Sequence, residues 1–128
     1  MGLEIGARGR AVARVTPDKT AEALGSGDVP VYGTPSLVAL LETAAVNALA
    51  GRLAPGETTV GTWLEISHLA ATPVGADVTA EAELVGIEGR RLTFTVVAHD
   101  HRTKIGEGSH HRMIVARDRF LAKLLGPP

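Results

Sequence analysis

Glu42 is the residue whose type and surroundings most suggest chemistry. It is the only charged residue between Pro35 and Ala50, in a stretch that otherwise has the character of a buried helix. An ionised carboxylate held away from water without a partner costs on the order of several kcal/mol, so it is kept when it is paired or has chemistry to do. Two interpretations stay open: a structural carboxylate bonded to Asn47 or to an arginine, or a general base or nucleophile on a rigid helix.

Two further residues could work with this carboxylate. His68 follows Leu64 and Ile66 at period-two spacing and should point with them toward the helix. Such a histidine is either a satisfied core residue or, beside a carboxylate, half of an acid–base couple. Thr34 is predicted as the N-cap of the helix, where free backbone N–H groups also favour developing negative charge. Eight helical residues span about 12 Å, so a substrate would have to bridge Thr34 and Glu42.

The remaining histidines do not indicate a metal site. His99 and His101 alternate on one strand and His110 and His111 lie a hairpin away, but no His-x-x-x-His or Asp-rich spacing accompanies them. We interpret them as turn and surface histidines. The sequence also lacks a Gly-x-Ser-x-Gly elbow, a phosphate-binding loop and a dinucleotide-binding fingerprint.

Composition narrows the class of protein. The 128 residues are 45% hydrophobic, which fits one compact domain over residues 1–128. A net charge of −1 and 3% aromatic residues provide neither the basic surface nor the stacking platform of a nucleic-acid-binding protein. Cysteine is absent, which excludes disulfides and a cysteine nucleophile. The first residues do not resemble a signal peptide and the apolar helix is too short for a bilayer, so we expect a soluble, cytoplasmic protein.

Hydrophobic patterning predicts the elements that must position these residues. They are a strand over 7–16, a helix from Thr34 to about Arg52, strands over 57–72, 77–87, 90–100 and 104–116, and a short helix over 117–125. One face of the strand that begins at 57 should carry Val60, Thr62, Leu64, Ile66, His68 and Ala70. A helix this apolar must be covered nearly all round. This predicts an α+β hot-dog fold, an antiparallel curved sheet wrapped around one long central helix, with a generic α+β sandwich as the alternative.

Several motifs together resemble the fluoroacetyl-CoA thioesterase family of hot-dog fold. They lie between about Val31 and Lys123 and comprise Thr34, Glu42, Gly61-Thr62, His68 with the following Leu69-Ala70-Ala71-Thr72-Pro73, the segment from Val85 to Leu92, and Ala98-His99-Asp100. The resemblance implies that a homodimer hydrolyses an acyl-CoA thioester without a metal or other cofactor. It also implies that Thr34, Glu42 and His68 form the catalytic set.

Two substrate-binding residues are implied by the same resemblance. Gly61 matches a glycine whose backbone N–H helps to bind the thioester carbonyl, and Arg112 matches an arginine near the site. One difference concerns selectivity, because the family carries an aromatic lid ahead of its threonine, whereas residues 25–33 contain only Tyr32. We therefore expect a thioesterase for small acyl groups. A non-catalytic acyl-CoA-binding protein is the alternative, and a hot-dog hydratase is disfavoured because an Asp-x-Asn-Pro-like segment is missing.

Overall fold

Five strands and one long helix make up most of the chain, and the computed structural model describes residues 2–126. The strands are β1 (Arg8–Arg14), β2 (Glu57–His68), β3 (Asp77–Glu88), β4 (Arg91–His99) and β5 (Lys104–Ala116). They form an antiparallel sheet in the order β1-β3-β4-β5-β2. The helices are α1 (Ala21–Leu24), α2 (Thr34–Ala48) and α3 (Arg117–Leu125), and a 3₁₀ turn lies at Pro17–Lys19. No helix within residues 2–126 is long and apolar enough to cross a membrane.

Helix α2 packs along the inner face of the sheet. Its buried side consists of Leu37, Leu40, Leu41, Ala44, Ala45 and Ala48. The small alanines allow close approach, since any side chain at Gly9 of β1 would collide with the backbone at Ala44. The opposite side of α2 is open, and Val46 is 46% exposed. The predicted sheet wrapped around one central helix is therefore confirmed, whereas a helix covered nearly all round is wrong for a single chain.

Strands β3 and β4 supply the other half of the core. Alternate residues of β3 are buried, as their period-two pattern predicts: Val78, Ala80, Ala82 and Leu84. Their partners on β4 follow the same alternation, with Phe94 opposite Leu84. Ala80 lies opposite Ala98, so the core side of these two strands has a small pair as well as the large pair.

Helix α2 differs from its prediction at both ends. Gly33 occupies the N-cap position, and Thr34 and Pro35 are the first helical residues. The helix ends at Ala48 rather than near Arg52, because the chain leaves it through a turn in which Gly51 adopts a φ of 72°. The Thr34 hydroxyl is therefore not used for capping.

A β-bulge interrupts β2 and makes the prediction of one continuous face wrong. The register with β5 shifts between Gly61 and Trp63, so one extra residue enters β2 at this point. Gly61 consequently faces α2, Val60 points away from it by alternation, and Thr62 is exposed. After the bulge the predicted alternation resumes and continues to the end of the strand at His68.

Candidate active site

Thr34 and His68 meet where the start of α2 passes the end of β2. The Oγ1 atom of Thr34 lies 2.8 Å from Nδ1 of His68. The start of the helix is anchored by the carbonyl oxygen of Lys19, which accepts hydrogen bonds from the Gly33 N–H and the Ser36 hydroxyl, at 2.9 and 3.0 Å. This anchoring directs the Thr34 hydroxyl at the imidazole. A hydroxyl hydrogen-bonded to an imidazole is the arrangement of a nucleophile with its general base.

The half-buried position of His68 keeps its ring neutral. Burial lowers the pKa of His68 below its ordinary value of 6.5, and the backbone of Ala70 partly opposes the shift. Near neutral pH the ring can therefore accept the hydroxyl proton of Thr34 on Nδ1. The other ring nitrogen, Nε2, is buried and has no hydrogen-bond partner among residues 2–126.

Glu42 lies in the middle of α2 and is paired with an arginine of β5. Nη1 of Arg112 donates to Oε2 of Glu42 at 3.1 Å. The Arg112 side chain is 8% exposed and that of Glu42 is 39% exposed, so the expectation of a carboxylate held away from water is wrong. Asn47 is not its partner, because the Asn47 amide donates to the carbonyl of Arg10 at 2.8 Å. One carboxylate oxygen is thus held by the arginine while the group remains reachable from solvent.

Arg112 is fixed by hydrogen bonds from every nitrogen of its guanidinium group. Nε donates to Oγ1 of Thr59 at 2.9 Å, and Nη2 donates to the Thr59 carbonyl at 3.2 Å. Nη1 contacts both Glu42 and Nε2 of His110, the latter at 3.1 Å. A planar guanidinium held in this way presents a fixed donor to the carboxylate.

His110 is a member of this cluster that the sequence analysis missed. It is 1% exposed, so its prediction as a surface histidine is wrong. Its Nδ1 atom lies 2.8 Å from the carbonyl oxygen of Trp63. Alternation along β5, from Ile114 through Arg112 to His110, would have identified it as inward-facing. The neighbouring His111 faces outward and stacks on the Trp63 ring, with ring centroids 4.4 Å apart.

The electrostatic environment keeps His110 uncharged. Burial lowers its pKa most, and the positive charge of Arg112 lowers the pKa further. The Trp63 carbonyl and the Glu42 carboxylate oppose this shift. His110 is therefore neutral near neutral pH, although its Nε2 atom lies 3.9 Å from a carboxylate oxygen of Glu42.

Gly61 brings the backbone of β2 close to the Glu42 carboxylate. A Cβ atom at this position would lie 2.5 Å from Oε2 of Glu42 and 3.3 Å from Nη1 of Arg112. The bulge in β2 turns this position inward, so glycine is needed here for its lack of a side chain. The two residues implied as substrate-binding, Gly61 and Arg112, thus both border Glu42.

The predicted site residues form two groups in one chain. Thr34 contacts His68, whereas Glu42 contacts Arg112 next to Gly61. The predicted acid–base couple of His68 and Glu42 is not formed, because the carboxylate is paired with Arg112 instead. About 12 Å separates residues 34 and 42 along a straight helix, as expected from their spacing.

A hollow of about 340 Å³ opens beside Thr34 and His68. Its wall consists mainly of small or apolar residues, among them Ala21, Val31, Leu69, Ala70 and Ala71. Tyr32 belongs to this wall and is not a movable lid, since it is buried and its hydroxyl donates to the Ser36 carbonyl at 3.1 Å. Burial raises the pKa of Tyr32 to about 12. The hollow can take an apolar group adjoining the hydroxyl–imidazole pair.

A larger hollow of about 640 Å³ lies on the outer face of the sheet. Its lining includes the ion pair of Arg8 with Glu83 and that of Lys104 with Glu107, and neither Thr34 nor Glu42 borders it. These ion pairs lie at the surface and the hollow contains no group arranged for acyl transfer, so its size does not make it the candidate site.

His99 and His101 lie at the hairpin between β4 and β5 and are exposed. The residue between them, Asp100, accepts backbone hydrogen bonds from Arg102 and Thr103, which gives the turn its shape. Within residues 2–126, no three His, Asp or Glu side chains form a group that could hold a metal ion.

Comparison with known proteins places this geometry in a family. The family model described as fluoroacetyl-CoA-specific thioesterase matches residues 15–118. A fluoroacetyl-CoA thioesterase from Streptantibioticus cattleyicolor is 46% identical over 94 residues, which is 73% of this chain and 68% of that protein.

Similar solved structures agree with this family relationship. A structure of the fluoroacetyl-CoA thioesterase FlK has a TM-score of 0.90 at 38% identity and covers 100% of both chains. A Thermus thermophilus member of the thioesterase superfamily has a TM-score of 0.87 at 29% identity, covering 95% of this chain and 90% of that one. A hot-dog-like protein from Thermanaerovibrio acidaminovorans, 23% identical with a TM-score of 0.87 and coverage of 96% and 91%, shares the fold. The chain has the predicted hot-dog fold and belongs to the fluoroacetyl-CoA-specific thioesterase family.

Proposed function

We propose that this chain, a thioester hydrolase of that family, converts small acyl-CoA thioesters to the free acid and CoA with Thr34, Glu42 and His68. The observation that carries the proposal is the 2.8 Å hydrogen bond between the Thr34 hydroxyl and the His68 ring. No cofactor is required, because a hydroxyl nucleophile and a neutral imidazole are sufficient for acyl transfer.

Thr34 and His68 perform the first half of the reaction. His68 accepts the hydroxyl proton on Nδ1 while Oγ1 of Thr34 attacks the thioester carbonyl, giving a tetrahedral oxyanion. The backbone N–H of Gly61 is assigned to the substrate carbonyl, where it would stabilise this oxyanion. Collapse of the intermediate breaks the carbon–sulfur bond, and the departing thiolate takes the proton from His68. The products of this half are CoA and an acyl ester of Thr34.

Glu42 performs the second half. Its carboxylate accepts a proton from water as the water oxygen attacks the Thr34 ester, and the proton passes to Oγ1 of Thr34 as the acid leaves. Arg112 supports this role because its 3.1 Å contact holds the carboxylate in one orientation. The 39% exposure of the Glu42 side chain leaves room for water to approach.

The distance between the Thr34–His68 group and the Glu42–Arg112 group supports a homodimer. Strand β2 is an edge of the sheet, 12 residues long, and it carries Gly61 near Glu42 in its first half and His68 at its end. Antiparallel pairing of β2 with a second copy, about an axis between Leu64 and Glu65, would place Gly61 opposite the partner subunit's His68. The Glu42 group of one chain would then adjoin the Thr34–His68 group of the other.

The acyl group enters the hollow beside Thr34. Its volume of about 340 Å³ and its apolar wall suit a small hydrocarbon acyl group, and Tyr32 is built into the wall instead of covering it. No aromatic lid is present over this hollow in residues 25–33, so we propose no selectivity for fluorinated acyl groups. Because acyl-CoA esters are made and used inside cells, the location we propose is cytoplasmic.

A panel of acyl-CoA substrates, assayed by release of free thiol, tests the proposed function. We expect turnover of short acyl chains, with comparable kcat/KM for fluoroacetyl-CoA and acetyl-CoA. Tight binding of acyl-CoA esters without release of thiol across the panel would contradict hydrolysis and identify a non-catalytic acyl-CoA-binding protein. A strong preference for fluoroacetyl-CoA would instead contradict only the proposed lack of selectivity.

A further inference from the structure

His110 lies between the backbone of β2 and the Arg112–Glu42 pair. Its ring is buried, with Nδ1 2.8 Å from the Trp63 carbonyl oxygen and Nε2 3.1 Å from Nη1 of Arg112. It thus links the bulged part of β2 to the guanidinium group that holds Glu42. The reaction proposed above does not use this residue.

The two neighbours of His110 determine where its proton lies. A carbonyl oxygen can only accept, so Nδ1 must carry a hydrogen to bond with Trp63. A guanidinium group can only donate, so Nε2 must carry a lone pair to bond with Arg112. Both hydrogen bonds can form together only when the ring is neutral and its hydrogen is on Nδ1.

A charged ring would disrupt the cluster. Protonation would place an N–H on Nε2 directly opposite the Nη1 donor of Arg112, 3.1 Å away, so that two donors would face each other. The same proton would lie on the atom 3.9 Å from Oε2 of Glu42 and would compete with Arg112 for that carboxylate. Arg112 and Glu42 could not then both keep their present positions.

We propose that His110 is a positioning residue that holds Arg112 against Glu42 while its ring is neutral, so that protonation of His110 disables the Glu42 half of the site. This role extends the proposed function, and it rests on that function for the part that Glu42 takes in hydrolysis. It adds a second histidine to the acid dependence of the enzyme, besides His68.

Few charged or titratable groups face the His110 ring. On its own strand, β5, the nearby groups are Arg112 and His111, and from α2 the facing group is Glu42. From β2 it meets the carbonyl of Trp63, and from β4 the ring of Phe94, with ring centroids 6.3 Å apart. Burial lowers the pKa of His110, which agrees with a ring that is neutral when the enzyme works.

The first experiment measures the ring of His110 directly. Nitrogen chemical shifts of the imidazole in ¹⁵N-labelled protein distinguish the two neutral tautomers and the charged form, and substitution of single histidines assigns the signals. We expect His110 to be neutral with its hydrogen on Nδ1 at neutral pH. A charged ring, or a hydrogen on Nε2, would overturn the proposal whatever the activity of the protein.

The second experiment uses variants of His110 in the thiol-release assay. In His110→Phe both hydrogen bonds are lost, and we expect kcat to fall by about 10²-fold with kcat/KM little changed, since the misplaced Glu42 acts in hydrolysis of the Thr34 ester, after CoA has left. In His110→Gln the side-chain oxygen can still accept from Arg112, and we expect most of kcat to return. His111→Gln, on the outer face of the same strand, is the matched control.

The pH profile separates positioning from mere packing. His68 acts before CoA leaves and His110 acts on the hydrolysis that follows, so in the wild type kcat/KM should follow the ionisation of His68, and the rate of hydrolysis of the Thr34 ester should follow that of His110. In His110→Gln the acid limb of ester hydrolysis should lose the ionisation of His110, while His111→Gln should keep the wild-type shape. An unchanged limb in an active His110→Gln would overturn the inference and leave the proposed function intact. An inactive wild type would overturn the proposed function, and the tautomer measurement would still decide the role of His110.

Discussion

His68 and His110 have opposite hydrogen-bonding roles at the level of single residues. Nδ1 of His68 faces the Thr34 hydroxyl, which can give up its proton, whereas Nδ1 of His110 faces a carbonyl oxygen, which cannot. Burial lowers the pKa of both rings, so both are neutral at neutral pH. Only His68 is placed to move a proton during the reaction.

Replacement of His68 tests this difference. In His68→Ala, we expect kcat to fall by about 10²-fold or more, because the base that accepts the Thr34 proton is lost, with little change in KM. The acid limb of kcat/KM that comes from His68 should be lost. Turnover would be measured per folded molecule beside the melting temperature. A lower melting temperature with normal turnover would show that His68 is only a core residue.

The residues that could be found from sequence were those whose type conflicts with their surroundings. Glu42 is a lone charge in an apolar segment and His68 an inward position on a strand, and the structure places both at the inner face of the sheet. His110 was missed because the adjacent His110-His111 pair was interpreted as surface, although alternation puts only His111 outside. Which atoms contact each other depends on side-chain packing between distant elements, so the sequence could suggest an arginine as the partner of Glu42 but not that Arg112 is this partner.

At the level of elements, the start of α2 determines the hydrogen-bond partner of the Thr34 hydroxyl. Gly33 is the N-cap, so the Thr34 hydroxyl bonds to His68 rather than to the helix. We expect Thr34→Val to lower kcat by about 10²-fold or more while the free energy of unfolding changes by less than about 0.5 kcal/mol. Loss of a true N-cap would instead cost about 1 kcal/mol in denaturant unfolding. Thr34→Ser, which keeps a hydroxyl, is the control, and an active Thr34→Val would exclude Thr34 as the nucleophile.

The bulge in β2 leads to a prediction about Gly61. A methyl group there would meet the Glu42 carboxylate at 2.5 Å, and this flexible group can move away while the backbone stays in place. We expect Gly61→Ala to remain folded but to lose about 10²-fold in kcat through displacement of Glu42. Gly86→Ala, beside the register shift of β3, is the matched control and should keep full activity. Equal activity of the two variants would show that the position of Glu42 is not critical.

Elements with an uninterrupted pattern could be predicted and irregular ones could not. The alternation in β3, and the bounds of β5 and α3, agree with the sequence analysis. After Gly61 the inward-facing positions of β2 shift by one residue. The hydrophobic pattern does not predict this shift, because neither Gly61 nor the exposed Thr62 is strongly apolar. The short helix α1 was missed for a similar reason, since it has only four residues and only Ala21 among them is buried.

At the level of the whole molecule, a homodimer with shared sites can be tested by mixing inactive chains. Thr34→Val and Glu42→Gln would each be inactive alone. In a mixed dimer with shared sites, one site carries both changes and the other carries neither, so statistical exchange should restore about a quarter of the wild-type rate. Light scattering at micromolar concentration should show a dimer. A monomer, or no recovery in verified mixed dimers, would contradict sites shared between chains.

The overall fold was predictable because one apolar helix and an antiparallel sheet allow few arrangements. The open side of α2, which includes Val46, was not predictable. The sequence does not distinguish an apolar surface that the same chain covers from one that it leaves uncovered. The separation of Thr34 from Glu42 follows from their spacing, whereas the contacts of Thr34 with His68 and of Glu42 with Arg112 became visible only in the structure.

The most direct test of the central claim is the rate of thiol release from a short-chain acyl-CoA by wild type and Glu42→Gln. The two side chains have nearly the same shape, so the comparison isolates the carboxylate charge. We expect steady hydrolysis by the wild type and a kcat lower by about 10²-fold or more in a folded Glu42→Gln that still binds the substrate. Hydrolysis by Glu42→Gln at the wild-type rate would show that Glu42 is structural and would contradict the account.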